Sequence, residues 1–397
     1  MMNRMPSPIY LDHNATTPAF PEVIEAMRAC WSEPYLNPAS QHEFGRKARR
    51  ILEDSRDRVA ELLGANTSGT TPDRLIFTSG GTESNNLAIQ GLLFGRRRFS
   101  DPETPHLITT LIEHPSITTL TDHLANTGHT IDHIPVDTNG VLRTAALPQL
   151  LHPETRLVAA MLANNETGVL QPVAELAAIC NAHNVPLHAD AAQAAGKLPL
   201  SFRDLGVATM TIAAHKFGGP IGIGALLVRH DIELQPQLFG GFQQAGLRPG
   251  TESVALAVGL RTALELWNSH RNAWSQRILQ RRDRFETRLC ETGALTTCQP
   301  VIIGQAVPRL PNTSNIAFVG LDRQRLFIAL DQAGIACSTG SACASGSSEP
   351  SPVHLAMGCG PGVISSALRF SFGVNTTLAD IQEATDRILK VCNGLGQ

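Results

Sequence analysis

Residues 209–228 read TMTIAAHKFGGPIGIGALLV, two apolar runs on either side of a segment that contains a histidine, a lysine and two glycines. Short apolar runs of this kind are typical of buried strands. A similar run, VPLHAD, ends at Asp190, upstream of Lys216. Strand-like and helix-like segments alternate in this way over the first two thirds of the chain, which predicts an α/β fold with a mostly parallel sheet.

The last third of the chain has a different pattern. A long helical stretch begins near Ala255, and shorter strand-like runs such as SNIAFVG and ALRFSFG follow it. This mixture predicts a smaller α+β unit. We therefore expect a large domain of residues 16–260 and a small domain of residues 1–15 and 261–397.

Composition and charge restrict the classes of function. The chain has 397 residues, of which 42% are hydrophobic and 17% charged, as in a folded protein of about two domains. Its net charge of -3 gives no electrostatic reason to expect nucleic acid or an anionic membrane as a partner. No run approaches the ~20 apolar residues of a membrane span, and the first residues lack the apolar core of a signal peptide. We therefore expect a cytoplasmic enzyme.

Lys216 and Asp190 are the first candidates for a functional site. Lys216 is one of only four lysines, and both residues end or follow predicted strands. This pair suits pyridoxal phosphate, because a lysine can hold its aldehyde as a Schiff base and a carboxylate can keep its ring nitrogen protonated. The alternative is an ordinary lysine whose stem packs while its amine reaches water. Lys197 follows a glycine and is interpreted as an ordinary loop residue.

A glycine pair lies between a predicted strand and a predicted helix. Gly80, Gly81 and Thr82 precede a helix expected to begin near Glu83. Glycines allow close approach of the backbone, and the first amides of a helix favour an anion, so this segment is a candidate phosphate cradle. A turn without a ligand is the alternative, since such turns are common.

Further polar residues are expected at the same edge of the sheet. His114 ends the predicted strand TTLIEH, where a capping or packing role is the alternative to a ligand contact. Asn165 and Gln193 follow predicted strands and could donate hydrogen bonds to the cofactor's phenolic oxygen, or could simply belong to turns. Four other histidines are interpreted as surface residues: His106, His123, His129 and His133.

The eight cysteines contain no CxxC pair and no zinc-like spacing. We expect most of them to be buried, and we predict no metal site. Cys337 lies in an apolar run and is predicted to be in the core. Cys343 differs, because residues 338–348 read STGSACASGSS, a small and polar segment that favours an exposed thiol. It is a candidate nucleophile, and an incidental cysteine in a linker is the alternative.

Arg369 lies inside the predicted strand ALRFSFG. A buried guanidinium needs an anionic partner, since burial of an unpaired charge is costly. One interpretation is a clamp for the carboxylate of an amino-acid substrate. The other is a structural salt bridge.

Together these segments resemble the cysteine desulfurases of the class-V aminotransferase family. The likeness runs from YLDHNATTP to LRFSFG through segments in the family's order: NPASQH, FTSGGTESNN, ANNETG, HADAAQ, AHKFGGPIGIG, GGFQQAGLRPGT and STGSACASGSSEPS. The last segment resembles the NifS/IscS, or group I, branch. The resemblance implies the PLP-transferase type I fold, with a Cys343 loop at about residues 336–352 in the small domain. It also implies removal of sulfur from L-cysteine, which gives L-alanine and a persulfide on Cys343.

The resemblance implies a role for each matching residue. Lys216 would bind the cofactor covalently, Asp190 would pair with its ring nitrogen and His114 would stack on its ring. Further cofactor contacts would come from these residues, the last of them from a second subunit: Gly81, Thr82, Asn165, Gln193, His215 and Thr251. Asn37 and Arg369 would hold the substrate carboxylate. The implied partners are a second copy in a homodimer and a sulfur acceptor, either an iron–sulfur scaffold or a thiolation protein.

Three residues depart from the family's pattern. Ala213 stands where a serine is usual, Ile221 where a lysine is usual and Gln244 where an acid is usual. The lost hydroxyl would cost ~1 kcal/mol of cofactor binding. Two alternative functions stay open: another class-V reaction, such as transamination, epimerisation or selenocysteine lysis, and a non-catalytic sulfur carrier or scaffold subunit.

Overall fold

The structure, a computed structural model, describes residues 7–95, 105–291, 293–340 and 349–395. The strands in chain order are β1 Ile9–Tyr10, β2 Arg74–Thr78, β3 His106–Thr110, β4 Ile131–Ile134, β5 Thr155–Met161, β6 Leu187–Asp190, β7 Thr209–Ala213, β8 Gly224–Val228, β9 Gln299–Ile302, β10 Thr313–Val319, β11 Ile335–Ala336 and β12 Ala367–Ser371.

The helices lie between and around these strands. In chain order they are α1 Pro21–Ser32, α2 Glu43–Leu62, α3 Gly81–Leu93, α4 Pro115–Asn126, α5 Leu147–Leu150, α6 Val173–Ala182, α7 Phe202–Leu205, α8 Val254–Leu289, α9 Arg323–Gln332, α10 Pro352–Ala356, α11 Pro361–Ile364 and α12 Leu378–Leu395. Short 3₁₀ helices span Thr144–Ala146, Ala214–Lys216 and Gln243–Gly246. Among the described residues, no helix is long and apolar enough to cross a membrane.

A seven-stranded sheet forms the centre of the molecule, in the order β2-β8-β7-β6-β5-β3-β4. In the series β7-β6-β5-β3-β4, each strand is parallel to the next. Strand β8 is antiparallel to both β7 and β2. The predicted α/β fold with a mostly parallel sheet is confirmed.

Burial explains why the central strands read as continuous apolar runs. Every residue of β6, β7 and β8 is buried, as expected for strands covered by helices on both faces. Helix α3 packs on β5, β7 and β8, and the long α8 packs on α1 and α2. The parallel strands β5, β6 and β7 therefore end at one edge of the sheet, where α/β folds bind ligands.

Two smaller sheets complete the fold. Strands β9, β10 and β12 form an antiparallel sheet, and β1 pairs in parallel with β11. Helix α8 is 36 residues long and runs through the expected boundary at residue 260. The division into residues 16–260 and 1–15 with 261–397 therefore stays a prediction.

Three local interpretations need correction. Strand β3 ends at Thr110, so His114 does not end a strand but caps α4, because Pro115 begins that helix and holds His114 in an extended conformation. His106 is not a surface residue, since its side chain packs under the turn before β5 and is buried. Lys197 does lie in a turn, but it is only 4% exposed.

The cysteines follow the expectation in part. Cys337 is buried as predicted, and burial raises the pKa of its thiol far above the usual range. Among the described cysteines, four are buried, Cys298 and Cys359 are half-buried, and Cys290 is exposed. Cys343 lies outside the described residues.

Candidate active site

A pocket of about 280 Å³ lies at the carboxyl edge of the central sheet. It is lined by residues from the N-terminal segment, α3, α4 and the ends of β5, β6 and β7: Ala15, Gly81, Thr82, Asn85, His114, Ser116, Met161, Ala163, Asn165, Asp190, Ala192, Gln193, Ala213, His215 and Lys216. Eight of the predicted site residues are therefore brought together from five separate segments of the chain.

Lys216 ends the 3₁₀ helix that follows β7, and this turn directs its side chain into the pocket. Its Nζ donates hydrogen bonds to the carbonyl oxygens of Asn14, at 2.8 Å, and Ala15, at 3.0 Å. The N-terminal segment thus holds the amine in the pocket. Lys216 and Asp190, the first pair of candidates from the sequence, both line this cavity.

Asp190 is the last residue of β6 and is 7% exposed. One carboxylate oxygen accepts a hydrogen bond from the backbone N–H of Ala192 at 2.9 Å. The other accepts one from Nδ2 of Asn85 at 2.8 Å. These two donors fix the carboxylate at the pocket wall, where it can face a cationic ring nitrogen.

Asn85 was missed by the sequence analysis, and it connects Asp190 to a buried network. Its Oδ1 lies 3.0 Å from Nε2 of His188, whose Nδ1 lies 2.8 Å from the hydroxyl of Thr209. Burial lowers the pKa of His188 to about 4, so this imidazole is neutral at pH 7. Since Oδ1 can only accept, His188 donates to it, and Nδ2 of Asn85 is left to face Asp190.

His114 is oriented by the helix that it caps. Its Nδ1 accepts a hydrogen bond from the backbone N–H of Ser116 at 3.1 Å and lies 2.9 Å from the Ser116 hydroxyl. Nδ1 is therefore an acceptor, and a neutral ring carries its proton on Nε2. Burial lowers the pKa of His114, and the charge of Asp190 partly opposes this shift. His114 thus performs the capping role and also lines the pocket.

The end of the pocket at the N-terminus of α3 is suited to bind an anion. Gly81 and Thr82 form the first turn of α3, so their backbone amides are free of partners within the helix. A Cβ built on Gly81 would lie 3.5 Å from Cβ of Ala213, so the glycine leaves a small cradle there. His215 lies beside them, with Nδ1 3.2 Å from the Thr16 hydroxyl. Burial, and then Lys216, lower its pKa to about 4, so it offers a neutral N–H.

A buried lysine, Lys197, lies behind the pocket. Nζ of Lys197 donates to Oε1 of Gln193 at 3.1 Å, and Nε2 of Gln193 donates to the Asn14 carbonyl at 3.0 Å. That carbonyl is the same one that accepts from Lys216. Burial, and then the charge of Lys216, lower the pKa of Lys197 to about 7. The scarcity of lysine in the chain was the only sequence signal for this residue.

Other predicted site residues lie outside the pocket wall. Asn37 is exposed, and its Oδ1 accepts from the backbone N–H of Ala39. Thr251 is exposed and lines a different depression, near Arg248 and Gly222. Their roles toward substrate and cofactor therefore stay predictions, and for Thr251 the prediction already involved a second subunit.

Arg369 is buried in β12 and has a partner within the chain. Its Nη2 donates to a carboxylate oxygen of Asp12 at 2.7 Å, and its Nη1 donates to the carbonyl of Asn165 at 3.0 Å. In this structure Arg369 therefore forms a salt bridge within the chain, with Asp12. The Nε atom of Arg369 is buried without a hydrogen-bond partner, and the second contact places the guanidinium next to a pocket residue.

Glu166 connects the pocket to Gly340 and Ser351, which lie before and after Cys343 in the sequence. Its carboxylate accepts a hydrogen bond from the Ser351 hydroxyl at 2.7 Å. A Cβ built on Gly340 would lie 2.6 Å from the same carboxylate oxygen, so only glycine fits there. Gly340 and Ser351 therefore both lie against Glu166, the neighbour of Asn165. Burial raises the pKa of Glu166.

The departures from the family's pattern have different structural contexts. Gln244 accepts from the backbone N–H of Phe77 at 2.7 Å and donates to its carbonyl at 2.8 Å. A carboxylate could not donate to the Phe77 carbonyl. An amide therefore suits position 244, whose side chain contacts the edge strand β2. Ala213 lines the pocket without a hydroxyl. Ile221 is exposed, and nothing in the described structure explains it.

The donor set of the pocket fits pyridoxal phosphate. It combines an amine, a buried carboxylate, neutral imidazoles and the free amides of a helix N-terminus, each at a different wall. The Oδ1 atom of Asn165 is buried there without a hydrogen-bond partner, so its amide is available to a ligand. These groups match an aldehyde, a ring nitrogen, a ring face, a phosphate and a phenolic oxygen.

Comparison with known proteins agrees with this fit. Residues 9–383 match the family described as Aminotransferase class-V. The chain is 39% identical to the IscS-like cysteine desulfurase of Mycobacterium tuberculosis, over 95% of this chain and 94% of that protein. It is similar to a solved NifS-like protein, with a TM-score of 0.87, 30% identity and coverage of 98% of this chain and 100% of that one. A structure described as SspA in complex with cysteine has a TM-score of 0.78, 31% identity and coverage of 91% and 98%.

Proposed function

The chain belongs to the class-V aminotransferase family and, within it, to the cysteine desulfurases, and we propose that it removes the sulfur atom of L-cysteine and releases L-alanine. The observation that carries the proposal is the convergence of Lys216, Asp190 and His114 on one pocket whose far end is the N-terminus of α3. The related SspA has been solved in complex with cysteine, which supports cysteine as the substrate.

Enzymes of this family depend on pyridoxal phosphate, which when bound supplies an aldehyde that links to amino groups and a ring that withdraws electrons. In this chain Lys216 would hold it covalently, and Asp190 would hold a proton on its ring nitrogen. The amides of Gly81 and Thr82 would hold its phosphate, together with His215. Asn165 and Gln193 would donate to its phenolic oxygen, and His114 would cover its ring.

Lys216 would also act as a base, and His114 would also contact the substrate. Lys216 would remove the α-proton of the substrate, because two main-chain carbonyls hold its Nζ in the pocket. His114 presents Nε2–H, since its Nδ1 accepts from Ser116. It can therefore donate a hydrogen bond to a substrate atom above the ring.

Cys343 would take the sulfur. Its thiolate attacks the substrate sulfur, so that an S–S bond forms while the C–S bond breaks and its electron pair stays on the substrate carbon. Protonation of that carbon gives alanine, and the enzyme keeps the persulfide Cys–S–SH. Cysteine and one enzyme thiol are thus converted to alanine and one persulfide, with no external oxidant or reductant. The contacts of Gly340 and Ser351 with Glu166 support this role, because they hold both flanks of the segment near Asn165.

The partners are proposed on the same basis. Arg369 would receive the substrate carboxylate in exchange for part of its contact with Asp12, and Asn37 would approach from the loop before α2. A second copy of the chain would bring its Thr251 to the phosphate, since Thr251 is exposed and does not line the pocket of its own chain. A sulfur-acceptor protein would then remove the persulfide sulfur.

Reduction with borohydride tests the placement of the covalent link. We expect treatment of the loaded enzyme to leave the cofactor mass on the peptide that contains Lys216, with loss of the visible absorbance. Lys216→Arg should abolish both the label and alanine formation, whereas Lys47→Arg on the surface of α2 should change neither. A label on the peptide that contains the buried Lys197 would contradict the assignment.

A further inference from the structure

Three possible metal ligands meet at the edge of the central sheet opposite to the pocket. His106 is the first residue of β3, Asp132 is the second residue of β4, and His152 lies in the turn before β5. Because these strands are parallel, their amino ends share this edge. One ligand atom from each residue lies within 4.8 Å of the other two.

The spacing of the atoms matches a tetrahedral metal centre. Nε2 of His106 lies 3.3 Å from Oδ2 of Asp132, and Nε2 of His152 lies 3.6 Å from the same oxygen. Zinc binds histidine nitrogen and carboxylate oxygen at about 2.0–2.1 Å, so neighbouring ligands of a tetrahedron lie about 3.3–3.4 Å apart. The two imidazoles are tilted by 42°, with ring centroids 5.1 Å apart, and converge on the shared oxygen.

His106 supplies an independent observation. Its side chain is 3% exposed, and its Nε2 is buried without a hydrogen-bond partner. The neighbour of this nitrogen is Oδ2 of Asp132, at 3.3 Å. A buried nitrogen aimed at a carboxylate without a hydrogen bond is a typical position for a cation between them.

One hydroxyl holds both histidines in place. The Thr155 hydroxyl lies 2.8 Å from Nδ1 of His106 and accepts from the backbone N–H of His152 at 2.8 Å. The backbone N–H of His106 also donates to the carbonyl of Glu154. Metal-binding histidines usually donate their second ring N–H to such an acceptor, which fixes the tautomer. In this arrangement Nε2 of His106 is left for the metal.

We propose that His106, Asp132 and His152 bind one divalent transition-metal ion of the zinc class, with water at the fourth position. The set of two nitrogens and one carboxylate oxygen favours Zn²⁺ over Mg²⁺ or Ca²⁺, which prefer oxygen ligands. The ion would clamp the starts of β3 and β4 to the turn before β5. It would not enter the reaction, since the whole length of β3 separates it from His114.

Zinc titration of the tag-free, cofactor-loaded enzyme tests this site. We expect one Zn²⁺ per chain with a dissociation constant at or below about 1 µM, and a higher melting temperature with zinc than without it. His152→Ala and Asp132→Asn should each weaken binding about 100-fold or more and abolish the shift, because three ligands are the minimum for such a site. Thr155→Val should weaken binding about 10- to 100-fold through the lost support of both histidines.

Two controls separate this site from other zinc ligands of the chain. His133→Ala changes an exposed histidine beside Asp132 on β4 and should leave zinc affinity unchanged. Co²⁺ in place of Zn²⁺ should give absorbance without the thiolate-to-cobalt band, which excludes the cysteines. All variants should keep the cofactor absorbance and alanine formation. Zinc binding that survives both His152→Ala and Asp132→Asn, or its absence in the unaltered enzyme, would overturn the proposal.

Discussion

Lys197 shows how a single buried charge can adjust a site that it does not line. Burying a cation is costly, and the partner that the structure gives its amine is a neutral amide oxygen, that of Gln193. Since a lysine amine only donates, it forces Oε1 of Gln193 toward itself and leaves Nε2 on the pocket side. We infer that Lys197 is a positioning residue for Gln193 and a source of positive potential near Lys216.

Replacement of this lysine should change the titration of the cofactor link. Lys197→Met removes a positive charge, which otherwise disfavours a second positive charge on the nitrogen of Lys216. The pH midpoint of the visible absorbance should therefore rise, by up to roughly one unit, because the two lysines lie close enough for the charge of one to lower the pKa of the other. Lys47→Met, on the exposed face of α2, should leave the midpoint unchanged. An unchanged midpoint in Lys197→Met would contradict the electrostatic role.

At the scale of elements, the strands were predictable because burial on both faces leaves a strong signal. The runs ending at Asp190 and Ala213 are mostly apolar and fully buried, and they are β6 and β7. The order of the strands and the antiparallel direction of β8 depend on tertiary packing, which no short window of sequence contains. The end of β3 was misjudged because the apolar run continues past Thr110 into the turn before His114.

The site was predictable where one residue type dictates the chemistry. Lys216, Asp190 and the glycines before α3 could be found from strand ends and turn residues. Asn85, His188 and Lys197 could not, because their roles depend on hydrogen bonds to residues distant in the sequence. His106 was misinterpreted for the same reason, since its partners Asp132 and Thr155 lie on other strands.

The whole molecule carries a set of buried neutral histidines that should make it sensitive to acid. Burial lowers the pKa to about 4 for each of these residues: His13, His188, His215 and His354. In the unfolded chain they titrate near 6.5, so between these values the unfolded state binds more protons and stability is lost as pH falls. Two buried carboxyls act in the opposite direction, because burial raises the pKa of Glu113 to about 8 and also raises that of Glu166.

The balance of these groups predicts how steeply the free energy of unfolding changes with pH. Because the four histidines outnumber the two carboxyls, the free energy of unfolding should fall as the pH is lowered from 6.5 to 4.5, by on the order of 1 kcal/mol per pH unit for each net proton taken up on unfolding. Urea unfolding of the cofactor-free protein at several pH values measures it. His354→Leu should reduce the slope by roughly 1 kcal/mol per pH unit, whereas His123→Leu, at an exposed position on α4, should not. A stability independent of pH in this range would show that the buried histidines are charged or solvated.

The products formed from L-cysteine test the central claim most directly. With a thiol reductant, the loaded enzyme should release alanine and sulfide in equal amounts over many turnovers, and Cys343→Ala should release neither at a comparable rate while it keeps the cofactor absorbance. Alanine and sulfide formation at the full rate by Cys343→Ala would contradict the proposed sulfur transfer. Cofactor-loaded enzyme that forms no alanine from L-cysteine would contradict the desulfurase activity itself.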